Sequence, residues 1–250
     1  MNQTKLLKVI NISKSFGGVQ AVRNVSFDIK PGELLGVIGP NGSGKTTIVN
    51  LITRFVKATS GEVMFHGEKI NHLPPHKIIR LGISRTFQMV RPFYKLPAYK
   101  NMIIPLYSPR VKNFVGGKYG DRDAMALDLL EEVGFERDSF VAYKPAGILP
   151  QGYLKRLELA KAISLQPELM ILDELFSGLS LAEVASIVPI VEKLRQKGIA
   201  IIMIEHRLKE LFKIADRVIV LNYGEKIADG SAKEVMASDD VKNAYLGTEA

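Results

Sequence analysis

The fold is decided by the stretch Gly39-Pro40-Asn41-Gly42-Ser43-Gly44-Lys45-Thr46-Thr47. Its spacing fits the pattern G-x-x-x-x-G-K-[ST], in which a glycine-rich loop joins a strand to a helix and binds phosphate. Before the stretch, the apolar residues 33–38 predict a buried strand, and after it residues 48–55 predict a helix. Because the pattern and both flanks are present, we favour nucleotide binding over a glycine-rich turn that happens to contain a lysine.

Each residue type in this loop suits the binding of a polyphosphate. Glycines allow the backbone to curl so that successive N–H groups point inward at an anion. The N-terminus of the following helix adds partial positive charge. Lys45 can reach the β- and γ-phosphates of a nucleotide, and the Thr46 hydroxyl can bind Mg²⁺.

The composition excludes several classes of protein. The chain has 250 residues, 46% of them hydrophobic and 24% charged, which is enough for one large domain or a core with an inserted subdomain. It has no cysteine, which excludes disulfides, thiolate metal sites and cysteine nucleophiles and is typical of a reducing cytoplasm. The first residues lack the apolar core of a signal peptide. The apolar run at 199–204 is far shorter than the ~20 residues of a membrane span, so we expect a soluble protein.

The formal net charge of +8 indicates a basic surface. Such a surface favours nucleic acid, anionic lipid headgroups or an acidic partner. The lysines and arginines are scattered, however, without a block of five or six and without interleaved aromatics. We therefore expect placement near a membrane rather than binding to nucleic acid, and an ordinary solvated surface is the simpler alternative.

Strands alternate with helices along most of the chain, which predicts a mostly parallel α/β sheet. Residues 6–16 and 21–30 show partial period-two alternation and predict two antiparallel strands around a Gly17-Gly18 turn. Phe16 ends the first of them. An aromatic side chain upstream of a phosphate loop can stack on a nucleotide base, although Phe16 can equally be a strand-end hydrophobe.

The segment from Met89 to Pro150 lacks the alternation of strands and helices seen in the rest of the chain. Four prolines interrupt its first part, and residues 111–118 predict an exposed flexible loop. Residues 123–133 predict an amphipathic helix that ends at Gly134. We interpret this segment as a mostly helical subdomain inserted in the α/β core.

Four apolar strands each end at a polar group suited to chemistry. These groups are the phosphate loop, Gln88, the pair Asp173-Glu174 and His206. Ligands of open parallel sheets bind at the carboxyl ends of the strands, so we expect the four ends to converge on one nucleotide. The carboxylate of Asp173 suits Mg²⁺ binding, and that of Glu174 suits polarisation of an attacking water. Gln88 can bridge the Mg²⁺ ion and this water, and His206 can contact the γ-phosphate.

On these residues the chain resembles the ATP-binding-cassette (ABC) ATPases across nearly its whole length. Residues 39–47 resemble the Walker A motif, residues 169–174 the Walker B motif with its catalytic glutamate, Gln88 the Q-loop and His206 the switch histidine. Residues 85–93 (RTFQMVRPF), 204–207 (IEHR) and 241–247 are similar to those of the ATP-binding subunits of branched-chain amino acid importers. The ATPases of lipopolysaccharide export look similar as well.

The resemblance implies a fold and a set of ligands. The fold is α/β, a P-loop NTPase with a RecA-like core and an antiparallel β subdomain in residues 1–88 and 166–250, and an inserted α-helical subdomain in residues 89–165. ATP and Mg²⁺ are the implied cofactors, with Lys45, Gln88, Glu174 and His206 catalytic, and Phe16 and residues 39–47 around the nucleotide. The implied partners are a second ABC ATPase subunit and membrane permease subunits, with a solute-binding protein acting indirectly. The implied location is the cytoplasmic face of the cell membrane.

One stretch departs from the family pattern. The family signature Leu-Ser-Gly-Gly-Gln, whose serine and backbone N–H groups touch the γ-phosphate on the opposite subunit, corresponds here to Leu149 followed by Pro150, Gln151, Gly152 and Tyr153. Pro150 has neither a hydroxyl nor an N–H group. The loss of one charge-assisted bond to phosphate costs on the order of 1.5–3 kcal/mol. Leu175 and Ser180 also replace the proline and the D-loop aspartate of the family.

These departures lie on surfaces that act on the opposite subunit, whereas the groups used in cis are intact. We therefore expect an asymmetric heterodimer, although a homodimer stays possible. In the heterodimer the site built on this chain's phosphate loop borrows the partner's signature and is active, and the other site is weak.

Three further expectations complete the interpretation. We expect the membrane subunit to dock on the segment after Gln88, with Phe93, Tyr94, Leu96 and Tyr99, although these side chains can instead pack within the subdomain. A soluble cassette protein acting on DNA or ribosomes is less favoured, because such proteins usually have two cassettes or a long coiled-coil insertion. A regulatory module with negligible turnover is suggested by Pro150 but disfavoured by the intact Glu174 and His206.

Overall fold

The strand before the phosphate loop lies inside a six-stranded sheet. The structure, a computed structural model, describes residues 5–114 and 121–246. The sheet has the order β10-β9-β3-β8-β7-β6 and is parallel except for β10, which pairs antiparallel with β9. Its strands are β3 (Leu34–Ile38), β6 (Ile83–Arg85), β7 (Leu169–Asp173), β8 (Ala200–Ile204), β9 (Arg217–Asn222) and β10 (Glu225–Gly230). Every residue of β3, β7 and β8 is buried, as their continuous apolar sequences predict.

A second, antiparallel sheet of four strands has the order β2-β1-β4-β5. Its strands are β1 (Leu7–Phe16), β2 (Val19–Ile29), β4 (Ser60–Phe65) and β5 (Glu68–Lys69). The first two form the predicted hairpin around Gly17-Gly18. The two sheets together confirm the predicted fold class.

Ten α-helices connect or flank the strands in the described residues. They are α1 (Lys45–Ile52), α2 (Pro75–Leu81), α3 (Ile103–Leu106), α4 (Pro109–Phe114), α5 (Arg122–Glu132), α6 (Gln151–Ile163), α7 (Leu181–Gln196), α8 (Leu208–Ile214), α9 (Ala232–Ala237) and α10 (Asp239–Leu246). Short 3₁₀ turns lie at Tyr99–Met102, Phe140–Tyr143 and Ala146–Ile148. No helix of the described residues is both long and apolar enough to cross a membrane.

Part of the loop predicted at 111–118 is helical instead. Helix α4 includes residues 111–114, and Val111 is buried. The helix begins at Pro109. Proline interrupts the interior of a helix but is well tolerated at the first helical position, where its missing N–H would have no partner anyway. Residues 115–118 lie outside the described residues.

The apolar core lies on both faces of the large sheet, since alternate strand residues point to opposite sides. Leu35 and Val37 belong to the cluster beneath the antiparallel sheet, whereas Leu34 and Ile38 belong to the other cluster. That second cluster also contains residues of the segment 89–165, among them Met102, Leu130 and Leu157. The helical segment and one face of the sheet therefore share a single core.

Candidate functional site

The site lies at the edge of the large sheet where the parallel strands end. Strands β3, β8 and β7 are neighbours in register, with Val37 and Asp173 both opposite Ile204. Their ends lead into the phosphate loop, His206 and Glu174. The strand predicted to end at Gln88 ends at Arg85 instead, and beyond it Thr86 still binds the sheet through its N–H to Ile171 O at 2.9 Å. Gln88 thus lies beyond the strand, yet it still reaches the same edge.

The phosphate loop is held by close contacts with its neighbours. Gly39, Gly42 and Gly44 all have positive φ, at 150°, 78° and 102°. A Cβ on Gly44 would lie 2.6 Å from the carbonyl oxygen of Ala21 in β2. The N–H of Gly224 donates to Ser43 O at 3.1 Å, which ties the β9–β10 turn to the loop. Positions 39 and 44 therefore accept only glycine, because a Cβ there would collide with a neighbouring backbone oxygen.

Helix α1 begins directly at this loop and leaves its first amides available for an anion. Gly44 is its N-cap, no side chain caps it, and no acidic residue lies in its first turn. The hydroxyl of Ser43 is buried and has no hydrogen-bond partner among the described residues. Unpaired donors at a helix N-terminus form an anion-binding site.

The Lys45 ammonium is folded over its own loop. It donates to Gly39 O at 2.7 Å and to Pro40 O at 2.8 Å. Burial lowers its pKa, whereas the nearby Glu174 and Asp173 carboxylates oppose this shift. The lysine is therefore held where a phosphate group can replace the carbonyl partners.

Glu174 is the centre of a hydrogen-bonded cluster. Its Oε2 accepts from Gln88 Nε2 at 2.7 Å, and its Oε1 lies 3.1 Å from His206 Nε2. Because an ionised carboxylate only accepts, the histidine donates there. Glu174 also has a φ of 51°, and its N–H binds Ile204 O at 2.9 Å. A left-handed conformation in a residue other than glycine is costly and is typical of functional sites.

The donor atoms expected for Mg²⁺ line one cavity. Thr46, Gln88 and Asp173 all contribute to its wall. Hydroxyl, amide and carboxylate oxygens suit Mg²⁺, which is usually held by one or two protein oxygens together with substrate phosphates. Among the described residues no cluster of three or more His, Cys, Asp or Glu forms a metal cage by itself. The residues therefore fit a magnesium ion held jointly with a nucleotide.

Phe16 lies at the end of β1 with its ring 50% exposed. The Lys14 ammonium lies 4.8 Å from the ring centroid on one side. The hairpin that carries Phe16 also carries Ala21, which contacts the phosphate loop. This exposed position is consistent both with stacking on a base and with a strand-end hydrophobe, and the role of Phe16 in nucleotide binding stays a prediction.

The signature-like residues form the N-cap and the first turn of α6. Pro150 is the N-cap of the helix and supplies no side-chain cap, and it is exposed together with Gln151. Gly152 is buried, and the Tyr153 ring packs 5.0 Å from that of Phe135. Two of the four predicted residues therefore face solvent and two face inward.

The replacement of the D-loop aspartate by Ser180 has a clear structural role. Ser180 is the N-cap of α7 and forms a capping box with Glu183, each binding the other's backbone N–H. Hydrogen bonds from Ser180 lower the pKa of Glu183, with a smaller contribution from the Gly152 backbone. A Cβ on Gly152 would lie 2.5 Å from Glu183 Oε1. A carboxylate therefore already lies against the first turn of α6.

Sequence reasoning missed Lys155. This lysine of α6 is 2% exposed, and its Nζ donates to Gln88 O at 3.1 Å and to Glu174 O at 2.9 Å. Burial lowers the Lys155 pKa, an effect that Glu205 opposes. Glu205 is itself buried, which raises its pKa to about 7. The available signal was the position of Lys155 four residues before Leu159, on the apolar face of the helix.

Replacing Lys155 by methionine should lower kcat by about 10- to 100-fold with little change in ATP affinity, because it frees the backbone of Glu174 and Gln88 while leaving the phosphate loop intact. Steady-state ATPase kinetics and nucleotide titration measure the two effects separately. Arg156→Met on the same helix is the control, since Arg156 binds Val133 O and Ser186 instead. A wild-type kcat for Lys155→Met would contradict this role.

Comparison with known proteins gives consistent relatives. The family model described as ABC transporter matches residues 22–177. The chain is 35% identical to the high-affinity branched-chain amino acid transport ATP-binding protein BraF of Pseudomonas aeruginosa, over 97% of this chain and 98% of that protein. It is 34% identical to LivG of Escherichia coli K12, a protein of the same description, with the same coverage.

Solved structures agree with these relatives. A nucleotide-free ATP-binding cassette from an ABC transporter has a TM-score of 0.86 at 30% identity and covers 96% of this chain and 98% of its own. An ATP-binding cassette in its ADP conformation has a TM-score of 0.85 at 32% identity, covering 97% and 99%. A dimeric cassette in a post-hydrolysis state with ADP and Pi has a TM-score of 0.79 at 25% identity, covering 90% and 98%.

Proposed function

The chain belongs to the ABC transporter ATP-binding family, and from that membership we propose that it energises an importer of branched-chain or related amino acids. It is an ATPase of this family, which hydrolyses ATP to drive transport. The relatives support this function over lipopolysaccharide export or a low-turnover regulatory module. The transported substrate is inferred from the names of BraF and LivG.

The catalytic proposal rests on the contacts of the Glu174 carboxylate. This carboxylate lies at the end of β7, with Gln88 bound to one of its oxygens and His206 to the other. A base needs hydrogen-bond reach to its proton donor, and the groups that hold it fix the direction in which it points. Glu174 is thereby oriented beside the phosphate loop.

We propose the following hydrolytic step. Water attacks the γ-phosphorus in line with the bond to the β-phosphate oxygen, which breaks and leaves ADP. Glu174 accepts the proton of the water as its oxygen bonds to phosphorus. Lys45 and His206 stabilise the negative charge that develops on the γ-phosphate oxygens. Bound Mg²⁺ neutralises phosphate charge, and Thr46, Gln88 and Asp173 are the residues that would hold it.

We propose an asymmetric dimer with a second ABC ATPase subunit. The N-terminus of α6, preceded by Pro150, faces outward and lacks the hydroxyl that the family signature places there. The Glu183 carboxylate lies against Gly152 in the first turn of α6 and repels an incoming phosphate. The site completed by this loop on the partner is therefore weak, and the site on this chain's own phosphate loop is the active one.

A large groove beside the catalytic cluster is the proposed docking site of the permease. Its cavity volume is about 1060 Å³. Exposed apolar side chains line its outer part: Phe55, Phe87, Met89, Ile104 and Tyr107. Of the residues expected to dock, Phe93, Tyr94 and Leu96 are exposed outside this lining, and Tyr99 packs 5.3 Å from Tyr143.

The groove suits an amphipathic helix with an acidic residue. Its lining includes Arg80 and Arg91 as well as the apolar side chains. Arg91 is exposed and forms no ion pair with any residue in 5–114 or 121–246. An apolar groove with an unpaired cation at its rim complements an apolar helix face with a carboxylate.

Reversing the charge at Arg91 should therefore uncouple transport from hydrolysis. In transporters reconstituted in proteoliposomes, we expect Arg91→Glu to lower amino acid uptake per ATP hydrolysed, while the full chain alone keeps its nucleotide affinity. Arg137→Glu is the matched control, because Arg137 is an exposed cation that pairs with Asp128 and Glu131 away from the groove. Wild-type uptake per ATP in Arg91→Glu would count against docking there.

Uptake in the assembled transporter tests the proposed substrate. Proteoliposomes containing this chain, its second ATPase, the permease subunits and the solute-binding protein should accumulate labelled leucine, isoleucine or valine in an ATP-dependent manner. Lys45→Ala should stop accumulation by removing the phosphate contact. Hydrolysis without uptake of any of the three amino acids would refute the proposed substrate.

We further propose that the chain is peripheral at the cytoplasmic face of the membrane, where its net charge of +8 favours contact with anionic lipid.

A further inference from the structure

Arg85 connects the groove to the carboxylate expected to bind Mg²⁺. Its NH2 donates to Asp173 Oδ2 at 2.6 Å, and its NH1 donates to Asn50 Oδ1 at 2.6 Å. The side chains of Arg85 and Asp173 are only 8% and 3% exposed. A buried cation is thus bound directly to the Walker B aspartate.

The same guanidinium also lies beside two aromatic rings that line the groove. Its carbon lies 5.0 Å from the Phe87 ring centroid and 6.0 Å from that of Phe55. The two rings contact each other edge to face at 5.7 Å, and both are exposed to the groove. The Nε of Arg85 is buried without a hydrogen-bond partner in the described part of the chain. The guanidinium is therefore held by Asp173, Asn50 and two aromatic rings, and its buried Nε takes no part in these contacts.

We propose that Arg85 is a positioning residue that competes with Mg²⁺ for Asp173, and that the aromatic side chains of the groove set the strength of this competition. The link to transport rests on the proposed function, because it assumes that the permease fills the groove. The competition itself is a property of this chain alone. A segment that displaces Phe87 or Phe55 changes the hold on Arg85 and thereby the charge that Asp173 offers to a cation.

The sign of the effect follows from charge. A guanidinium at hydrogen-bond distance partly neutralises a carboxylate and repels a second cation brought to the same group. Burial strengthens this repulsion, because water screens the two charges poorly there. An ion pair that only stabilised the fold would affect nucleotide affinity equally with and without Mg²⁺.

The test uses the full chain and a fluorescent ADP analogue. The readout is the ratio of the nucleotide Kd in EDTA to the Kd in excess MgCl₂, in which general changes in folding or nucleotide affinity cancel. Arg85→Met should raise this ratio at least about threefold because the competing charge is gone. Arg85→Lys should keep the wild-type ratio because it retains the charge. A ratio for Arg85→Met at or below the wild-type value would overturn the proposal.

Two further variants separate the competition from stability. Arg110→Met removes an equally buried guanidinium, which binds Gln166 O and Arg80 O, and should leave the ratio unchanged. Phe87→Ala leaves Arg85 in place and should raise the ratio in the same direction by a smaller factor. An unchanged ratio in Phe87→Ala would overturn the link to the groove, even where Arg85→Met does not fold. None of these measurements needs a permease, so failure of the transport proposal would be seen separately.

Discussion

Glu174→Gln should lower the ATPase kcat by about 10²- to 10⁴-fold while ATP binding persists, because the amide cannot accept a proton from water. Glutamine keeps the size of the side chain and can still bind Gln88 and His206, which lie 2.7 and 3.1 Å from the carboxylate oxygens. The phosphate loop is not altered. Phosphate release and nucleotide titration on the same preparation measure turnover and binding separately.

Glu168→Gln is the matched control for this change. Glu168 lies at the opposite end of the same strand and binds His66 and Arg110 instead of the catalytic cluster. In the assembled transporter, Glu174→Gln also tests the asymmetric dimer. If the dominant site is the one on this chain, Glu174→Gln removes most of the complex's activity, whereas a loss of less than half would contradict that assignment.

Gly39→Ala should abolish nucleotide binding. A Cβ at this position would lie 2.1 Å from Leu221 O and 2.7 Å from Ser43 Oγ. The first of these atoms belongs to the backbone of β9, which cannot move without disturbing the sheet. The loop must therefore open, and its N–H groups no longer converge on a phosphate. Titration with a fluorescent ATP analogue and a thermal melt check binding and folding together.

Gly42→Ala isolates the contribution of backbone strain. Gly42 also has a positive φ, 78°, but a Cβ there would meet no atom within 4 Å. Strain alone costs about 1–3 kcal/mol, so this variant should be less stable but should still bind nucleotide. Equal losses of binding in the two variants would show that strain, rather than the collision with Leu221, explains the requirement for glycine.

The fold class and the convergence of Gln88, Glu174 and His206 could be predicted because their signals are local. The phosphate loop is a contiguous motif, and Glu174 and His206 each follow a short, fully apolar strand. The rule that parallel strands present their carboxyl ends at one edge then brings the groups together without further information. Gln88 reaches this edge even though its strand ends three residues earlier than predicted.

The contacts of Lys155 and Arg85 could not be predicted in the same way. Lys155 binds the Gln88 carbonyl 67 residues away, and Arg85 binds Asp173 across 88 residues. Such pairs depend on how the helices pack on the sheet, which no local pattern encodes. A charged residue on the apolar face of a helix or at the end of a buried strand indicates only that a partner exists.

Helix α4 was missed for a different reason. The prolines and glycines around residues 105–117 suggested a loop, but Pro109 opens the helix and Val111 packs inward. The helix is only six residues long and is stabilised by tertiary packing rather than by its own propensity. Sequence patterns of this length do not separate the two cases.

The phosphate loop is braced from two sides, by Ala21 beside Gly44 and by the Gly224 N–H on Ser43 O. These contacts lower the conformational entropy that the loop has to lose when a nucleotide binds. Preorganisation of this kind leaves the loop with one shape for ATP and ADP alike. Discrimination between the two then rests on the side chains proposed to contact the γ-phosphate, Lys45 and His206.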